Sequence, residues 1–234
     1  MYRALACTLV SLASACGAVA QSADDVQEAD FTFDGLATVV SDYRYRGWSL
    51  SGERPALQLE ANVAHVSGFY AGAFASTIEE YGIDADGDGA KVELDISAGW
   101  AASVAGFDLD AGAMVYLYPG ASDVNYVVLP VSAARSFGEW SVTLGYEYTP
   151  SQSSLGDVDG TYVWVGADWA SDSFPIWFSS VIGREEGAWA PEGKTDWSLG
   201  AFHTLGPVDL GLTYTDTDEA AAGSAVVAEL RSHF

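Results

Sequence analysis

Apolar and polar residues alternate at period two through most of this chain, the pattern of strands with one face on an apolar medium and the other on water. The alternation is clearest in Val92-Glu93-Leu94-Asp95-Ile96-Ser97, Phe107-Asp108-Leu109-Asp110-Ala111-Gly112, Trp140-Ser141-Val142-Thr143-Leu144-Gly145 and Val208-Asp209-Leu210-Gly211-Leu212-Thr213. In the last run Val226, Ala228, Leu230, Ser232 and Phe234 share one face, and Val227, Glu229, Arg231 and His233 the other. The pattern predicts roughly twelve strands, at 31 to 44, 55 to 66, 69 to 78, 90 to 102, 106 to 118, 124 to 137, 139 to 149, 160 to 170, 174 to 184, 195 to 205, 207 to 216 and 224 to 234. Most have about the 9 to 11 residues that a tilted strand needs to cross a bilayer.

The connections alternate as well. Short links at Ser67-Gly68, 103 to 105, Gly138, 171 to 173 and Gly206 exchange with long ones at 45 to 54, 79 to 89, 119 to 123, 150 to 159, 185 to 194 and 217 to 223. Short turns on one rim, long loops on the other and both ends on the short side predict an all-β, 12-stranded antiparallel up-and-down transmembrane β-barrel with periplasmic ends and external loops. A soluble sandwich would have to bury the strand-centre acids Glu60, Glu93, Asp95, Asp108, Asp110, Asp168 and Asp209 at several kcal/mol each, whereas a wet lumen removes that penalty. Aromatics gather in two bands, the interface girdles of such a barrel. Tyr43, Trp48, Tyr116, Tyr118, Tyr126, Tyr146, Tyr148, Tyr162, Trp164 and Trp197 fall towards the long-loop rim, and Phe69, Trp100, Phe137, Trp140, Trp169 and Phe234 towards the other. Phe234 on the apolar face reads as an assembly signal, on a strand that must pair with the one starting near Phe31 if the barrel closes.

The start of the chain changes the picture from fold to location. Met1-Tyr2-Arg3 is cationic, residues 4 to 16 are small and apolar, and Ala18-Val19-Ala20 precedes Gln21 as a cleavage site, so 1–20 reads as a signal peptide. A short periplasmic segment, 21–30, and the barrel, 31–234, complete the expected organisation. Both cysteines, Cys7 and Cys16, fall in the leader, which leaves no disulfide framework or thiol chemistry to the exported protein. The chain carries 33 acidic side chains against nine Lys and Arg, a net charge of −24, which argues against nucleic acid as a partner. Outer-membrane lipids, periplasmic chaperones, the barrel-assembly machinery and small solutes are the expected partners.

The run Ser41-Asp42-Tyr43-Arg44-Tyr45-Arg46-Gly47-Trp48-Ser49-Leu50-Ser51, followed by Pro55-Ala56-Leu57-Gln58, resembles the TorF family of porins of Gram-negative bacteria, formerly catalogued as conserved hypothetical proteins. Ser67-Gly68-Phe69-Tyr70-Ala71-Gly72, Val92-Glu93-Leu94-Asp95 with Gly99-Trp100, and Tyr116-Leu117-Tyr118-Pro119-Gly120 extend the likeness over nearly all of the exported chain. The resemblance implies an outer-membrane barrel and a porin, without an established substrate or a catalytic set.

Fixed charges in a narrow pore concentrate counter-ions and exclude like charges, so a lumen lined by the seven acids favours cations or neutral solutes. A twelve-stranded barrel leaves little room once side chains fill it, since wide aqueous channels need about 16 to 18 strands. The expected function is therefore a narrow, cation-preferring diffusion channel that is no enzyme and needs no cofactor. Asp42, Arg44 and Arg46 mark the channel mouth. Arg44 and Arg46, two apart on the strand's exit, share a face and either guide anions or pair with Asp42, Glu60 or Glu93; the surplus of acids favours pairing. Asp84, Asp86, Asp88, Gly89 and Asp95 imitate the spacing of a calcium loop, but the twelfth position is Asp rather than Glu and falls inside a strand, so a loosely solvated acidic loop is the better reading and no metal is expected. The alternatives are a barrel hydrolase built on a Ser and His pair, for which His65, His203 and His233 are the available bases, and a non-conducting structural or adhesive barrel.

Overall fold

The computed structural model describes residues 30–83 and 89–234, so the proposed leader and the segment with Asp84, Asp86 and Asp88 lie outside the described residues. The strands are β1 (Phe31–Val40), β2 (Arg44–Tyr45), β3 (Trp48–Ser49), β4 (Ala56–His65), β5 (Phe69–Ile83), β6 (Gly89–Val104), β7 (Phe107–Leu117), β8 (Tyr126–Phe137), β9 (Trp140–Gln152), β10 (Val158–Ser171), β11 (Phe174–Gly187), β12 (Ala190–Leu205), β13 (Val208–Thr217) and β14 (Ala225–His233). All but β2 and β3 form one closed antiparallel barrel in which each strand pairs with its neighbours in chain order and β14 returns to β1. At the seam Leu36 faces His233 and Val40 faces Glu229, and Gly35 and Phe234 exchange backbone hydrogen bonds of 2.9 and 3.0 Å. The ring of Phe234 lies over Gly35 on the outer face, where a Cβ on Gly35 would come within 2.2 Å of it. Closure leaves the barrel no unpaired sheet edge among the described residues.

Alternation decides which side chain faces where. Leu57, Leu59, Val131, Leu144, Val163, Val165, Leu199, Leu212 and Leu230 stand exposed on the outside. Between them, residues of the other parity point inward: Gln58, Ser76, Glu93, Asp95, Ser97, Glu147, Asp168 and Asp209 are all buried. An apolar exterior around a polar, acidic interior inverts the arrangement of a water-soluble sandwich.

Tight turns join the strands on the rim where β1 begins and β14 ends. The β6–β7 turn places both Ala105 (φ 54°) and Gly106 (φ 79°) in the left-handed region, the geometry that matches the twist of a two-residue hairpin. The opposite rim carries the longer connections, with two departures from the sequence expectation. β1 stops at Val40, not 44, and β11 and β12 run on to Gly187 and from Ala190, so the predicted loop at 185 to 194 is a turn at 188–189. The charged residues there stay in strand because the register sets Glu185 opposite Lys194, and the two form an inward ion pair of 2.8 Å.

Candidate functional site in the barrel interior

The segment 41–55 does not leave the barrel mouth but turns into it. β2 and β3 form a hairpin with Tyr45 opposite Trp48, so its tip is Arg46-Gly47, both with positive φ (48° and 87°). A Cβ on Gly47 would stand 2.7 Å from Thr217 Cγ2, so this position needs glycine for close approach as well as for backbone conformation. Asp42 is the hub of the base: it accepts hydrogen bonds from Ser49 Oγ (2.6 Å), Ser51 Oγ (3.1 Å) and the guanidinium of Arg44. Arg44 also donates to the carbonyls of Ala222 and Gly223 at 2.9 and 3.2 Å, which ties the hairpin to the connection before β14.

The tip reaches the far wall. Arg46 pairs with Glu147 on β9 and with Glu185 on β11, at 2.6 Å for the latter. Counted along the closed strand order, β9 is diametrically opposite β1, from which the hairpin springs. The guanidinium lies between the rings of Tyr45 and Tyr162, with centroids 4.7 and 3.8 Å away, and Lys194 Nζ donates to the carbonyl of Arg46 at 2.9 Å. Tyr45 meets Tyr116 hydroxyl to hydroxyl at 3.3 Å. Buried charges held this way are expensive to separate, because either partner left alone in a low-dielectric interior loses its compensation. Arg44 and Arg46 therefore do not act as a same-face pair at a mouth. Arg44 does pair with Asp42, but Arg46 takes Glu147 and Glu185, not Glu60 or Glu93.

All seven acids singled out in the sequence lie on inward-facing positions, at different depths and in different company. Glu93 is 1 % exposed and accepts the hydroxyls of Tyr43 (2.6 Å) and Tyr118 (2.8 Å), while neither oxygen of the fully buried Asp95 has a hydrogen-bond partner. Asp168 is buried as well. Towards the turn rim Glu60 accepts from Asn62 (2.8 Å), Asp110 from Tyr70 (3.0 Å) and Asp108 from Ser103, and Asp209 meets His233 at 2.8 Å. Sequence reasoning missed Glu147, Glu185 and Lys194, the residues that anchor the hairpin. The signal for Glu147 was present in its parity, between the outward Tyr146 and Tyr148.

The aromatic bands divide. Phe69, Phe137, Trp140 and Phe234 are exposed on the outside of the turn rim, as a girdle requires. Of the ten aromatics assigned to the loop rim, Trp48, Tyr146 and Trp197 are exposed and Tyr148 is half-buried; Tyr43, Tyr116, Tyr118, Tyr126, Tyr162 and Trp164 are buried inside the barrel. Inward glycines make the room. A Cβ at Gly145 would stand 2.1 Å from the Trp164 ring, and one at Gly183 2.1 Å from the Tyr162 hydroxyl. Tyr116 and Tyr126 stack at 4.4 Å, and with Met114, Tyr118 and Val128 they form an apolar cluster where an open barrel would hold water.

Asp95 sits on the inner face of β6 and is not available as the twelfth ligand of the calcium-like loop. His65 Nδ1 lies 2.6 Å from Ser67 Oγ, but Ser67 N also donates to it (3.2 Å), so the pair caps an exposed turn. His203 points outward with Nδ1 on the carbonyl of Pro175 at 2.9 Å. The three histidines thus hold three separate local contacts.

Among solved structures, a structure described as the KdgM porin superposes with a TM-score of 0.57 at 7 % identity, covering 86 % of this chain and 97 % of the other. The NanC porin gives 0.54 at 10 % identity over 86 % and 98 %, and an outer membrane channel from Pseudomonas putida F1 gives 0.51 at 10 % over 86 % and 95 %. At these identities the likeness is one of fold. No curated protein matches the sequence. A family model described as a bacterial protein of unknown function, Gcw_chp, matches residues 24–231, and the chain belongs to that family.

Proposed function

We propose that this protein is an outer-membrane channel of a Gram-negative bacterium, a porin-like barrel through which small cations and neutral solutes diffuse along a path narrowed by the inward hairpin. The observation that carries the reading is the pairing of an apolar exterior with an interior where acids outnumber bases: Glu60, Glu93, Asp95, Asp108, Asp110, Asp168, Asp196 and Asp209 line it together with Glu147, Glu185, Glu229 and Asp42, against the inward bases Arg44, Arg46, Lys194 and Arg231. Counter-ion attraction by that surplus gives the cation preference. The apolar outer face, wrapping a closed barrel, suits lipid and no aqueous compartment. The porin folds among solved structures and the TorF-like motif in residues 41 to 51 support the same reading. On this view the chain is exported by its leader, handed over by periplasmic chaperones to the barrel-assembly machinery with Phe234 as a recognition element, and oriented with the turn rim in the periplasm.

Planar-bilayer recording of the refolded protein tests the proposal. Discrete conductance steps, with a reversal potential of cation-selective sign in a potassium chloride gradient, are expected. Absence of steps favours a structural barrel, and an anion-selective sign removes the role given to the acids.

A further inference from the structure

We propose that Glu93 and Asp95 form a binding site for one small monovalent cation within the barrel. Both project inward from β6, two residues apart, and both are buried, at 1 % and 0 % exposure. Each oxygen of Glu93 is taken by a tyrosine hydroxyl, Tyr43 at 2.6 Å and Tyr118 at 2.8 Å. Asp95 differs, since both its oxygens are enclosed and neither has a hydrogen-bond partner. A carboxylate stripped of water and left without donors is strongly unfavourable, and the neighbouring Glu93 adds like-charge repulsion. The barrel's cations nearby are engaged elsewhere, Arg44 with Asp42, Arg46 with Glu147 and Glu185, and Lys194 with Glu185. A proton or a cation relieves both costs, and a cation, unlike a proton, also engages the rings beside Asp95.

The surroundings restrict what that charge is. Phase and register place Phe74 and Tyr116 on either side of Asp95, and Phe74 packs with Tyr43 at a ring separation of 6.1 Å. Aromatic faces attract a desolvated cation through their quadrupoles, and tyrosine hydroxyls offer it oxygen. Two carboxylates, one of them already accepting two hydroxyls, together with aromatic rings form a donor set suited to a single positive charge. Potassium and a primary ammonium share this chemistry: each is a single positive charge attracted by the free oxygens of Asp95 and by the rings. The inference deepens the channel reading on which it rests, by naming a resting point for the permeant cation beside the hairpin, but binding is measured without conduction.

Isothermal titration of the refolded protein in detergent, in a low-salt buffer whose cation is the bulky N-methylglucammonium, is the test, with potassium chloride and methylammonium chloride as separate probes. The expected result is saturable one-to-one binding of at least one probe, weakened at least tenfold in Asp95→Asn and changed less than twofold in Asp110→Asn. The probe that binds more tightly identifies the source of the charge. No saturable binding of either probe, equal binding by Asp95→Asn, or equal loss in Asp110→Asn overturns the site. Should Asp95→Asn fail to refold, Glu93→Gln is judged by the same criteria. Binding in a protein that does not conduct keeps the site and overturns the channel; conduction without binding does the reverse.

Discussion

The two halves of the barrel interior are built on different principles. On the loop side the hairpin tip, the Arg46–Glu147–Glu185–Lys194 network and the ring cluster of Tyr116, Tyr118 and Tyr126 are buried almost completely. On the turn side, along β4 and β7, Asp108 is exposed, Glu60 and Asp110 are half-buried, and their partners are short polar contacts with Ser103, Asn62 and Tyr70, while on β13 and β14 Asp209 and Arg231 are buried beside His233, Glu229 and Phe202. Both halves use the same alternation, so parity alone does not make the difference. A loop folded inward supplies the loop side with a protein core, whereas the turn side keeps exposed and half-buried acids along β4 and β7.

That contrast is open to attack by substitution. Arg46→Ala leaves Glu147 and Glu185 buried without their shared cation and is expected to cost about 3–5 kcal/mol, read as a large fall in the thermal unfolding temperature of the barrel in detergent. Gly47→Val imposes both a forbidden backbone conformation and a clash with Thr217, and a loss of about 1–3 kcal/mol is expected in the same assay. Asp110→Asn, on the turn side, is expected to change stability by no more than about 0.5 kcal/mol while shifting the reversal potential towards zero. A loss as large as that of Arg46→Ala would erase the distinction between the halves. The smallest effect belongs outside the barrel. On the connection after β13, the Thr195 N–H donates to Asp218 at 2.8 Å and holds its carboxyl below the usual range. Because the folded value is the lower one, the gain exists above the ordinary carboxylate range and disappears as pH falls through the lowered value. Asp218→Asn should therefore be slightly less stable than wild type at neutral pH and indistinguishable from it in strong acid, as measured by thermal unfolding at both pH values.

The sequence carried the barrel well because each strand repeats the same local rule. Leu57, Leu59 and Leu144 announce an apolar outside whatever they later meet, and the turns at Gly68, Gly138 and Gly206 mark where strands reverse. It carried the hairpin poorly. Arg44 and Arg46 look like same-face neighbours on a continuing strand, and the tip Arg46-Gly47 lacks the Asn-Gly or Asp-Gly pair that signals a two-residue turn. Its anchors lie 101 and 139 residues away, at Glu147 and Glu185, a pairing that no local window contains. Glu185 and Lys194 resembled a charged loop because only their cross-strand register shows that they satisfy each other. Trp164 looked like a girdle residue because Val163 and Val165 on either side are as apolar as it is; Gly145, opposite it, was the clue to an inward ring.

Replacing residues 42 to 51 by a short glycine-serine link and comparing single-channel conductance with wild type under identical salt tests the central claim, that the inward hairpin sets the width of the path. Conductance should rise several-fold while the reversal potential keeps its cation-selective sign, because the acids of the wall remain. Unchanged conductance in a folded variant would contradict the account.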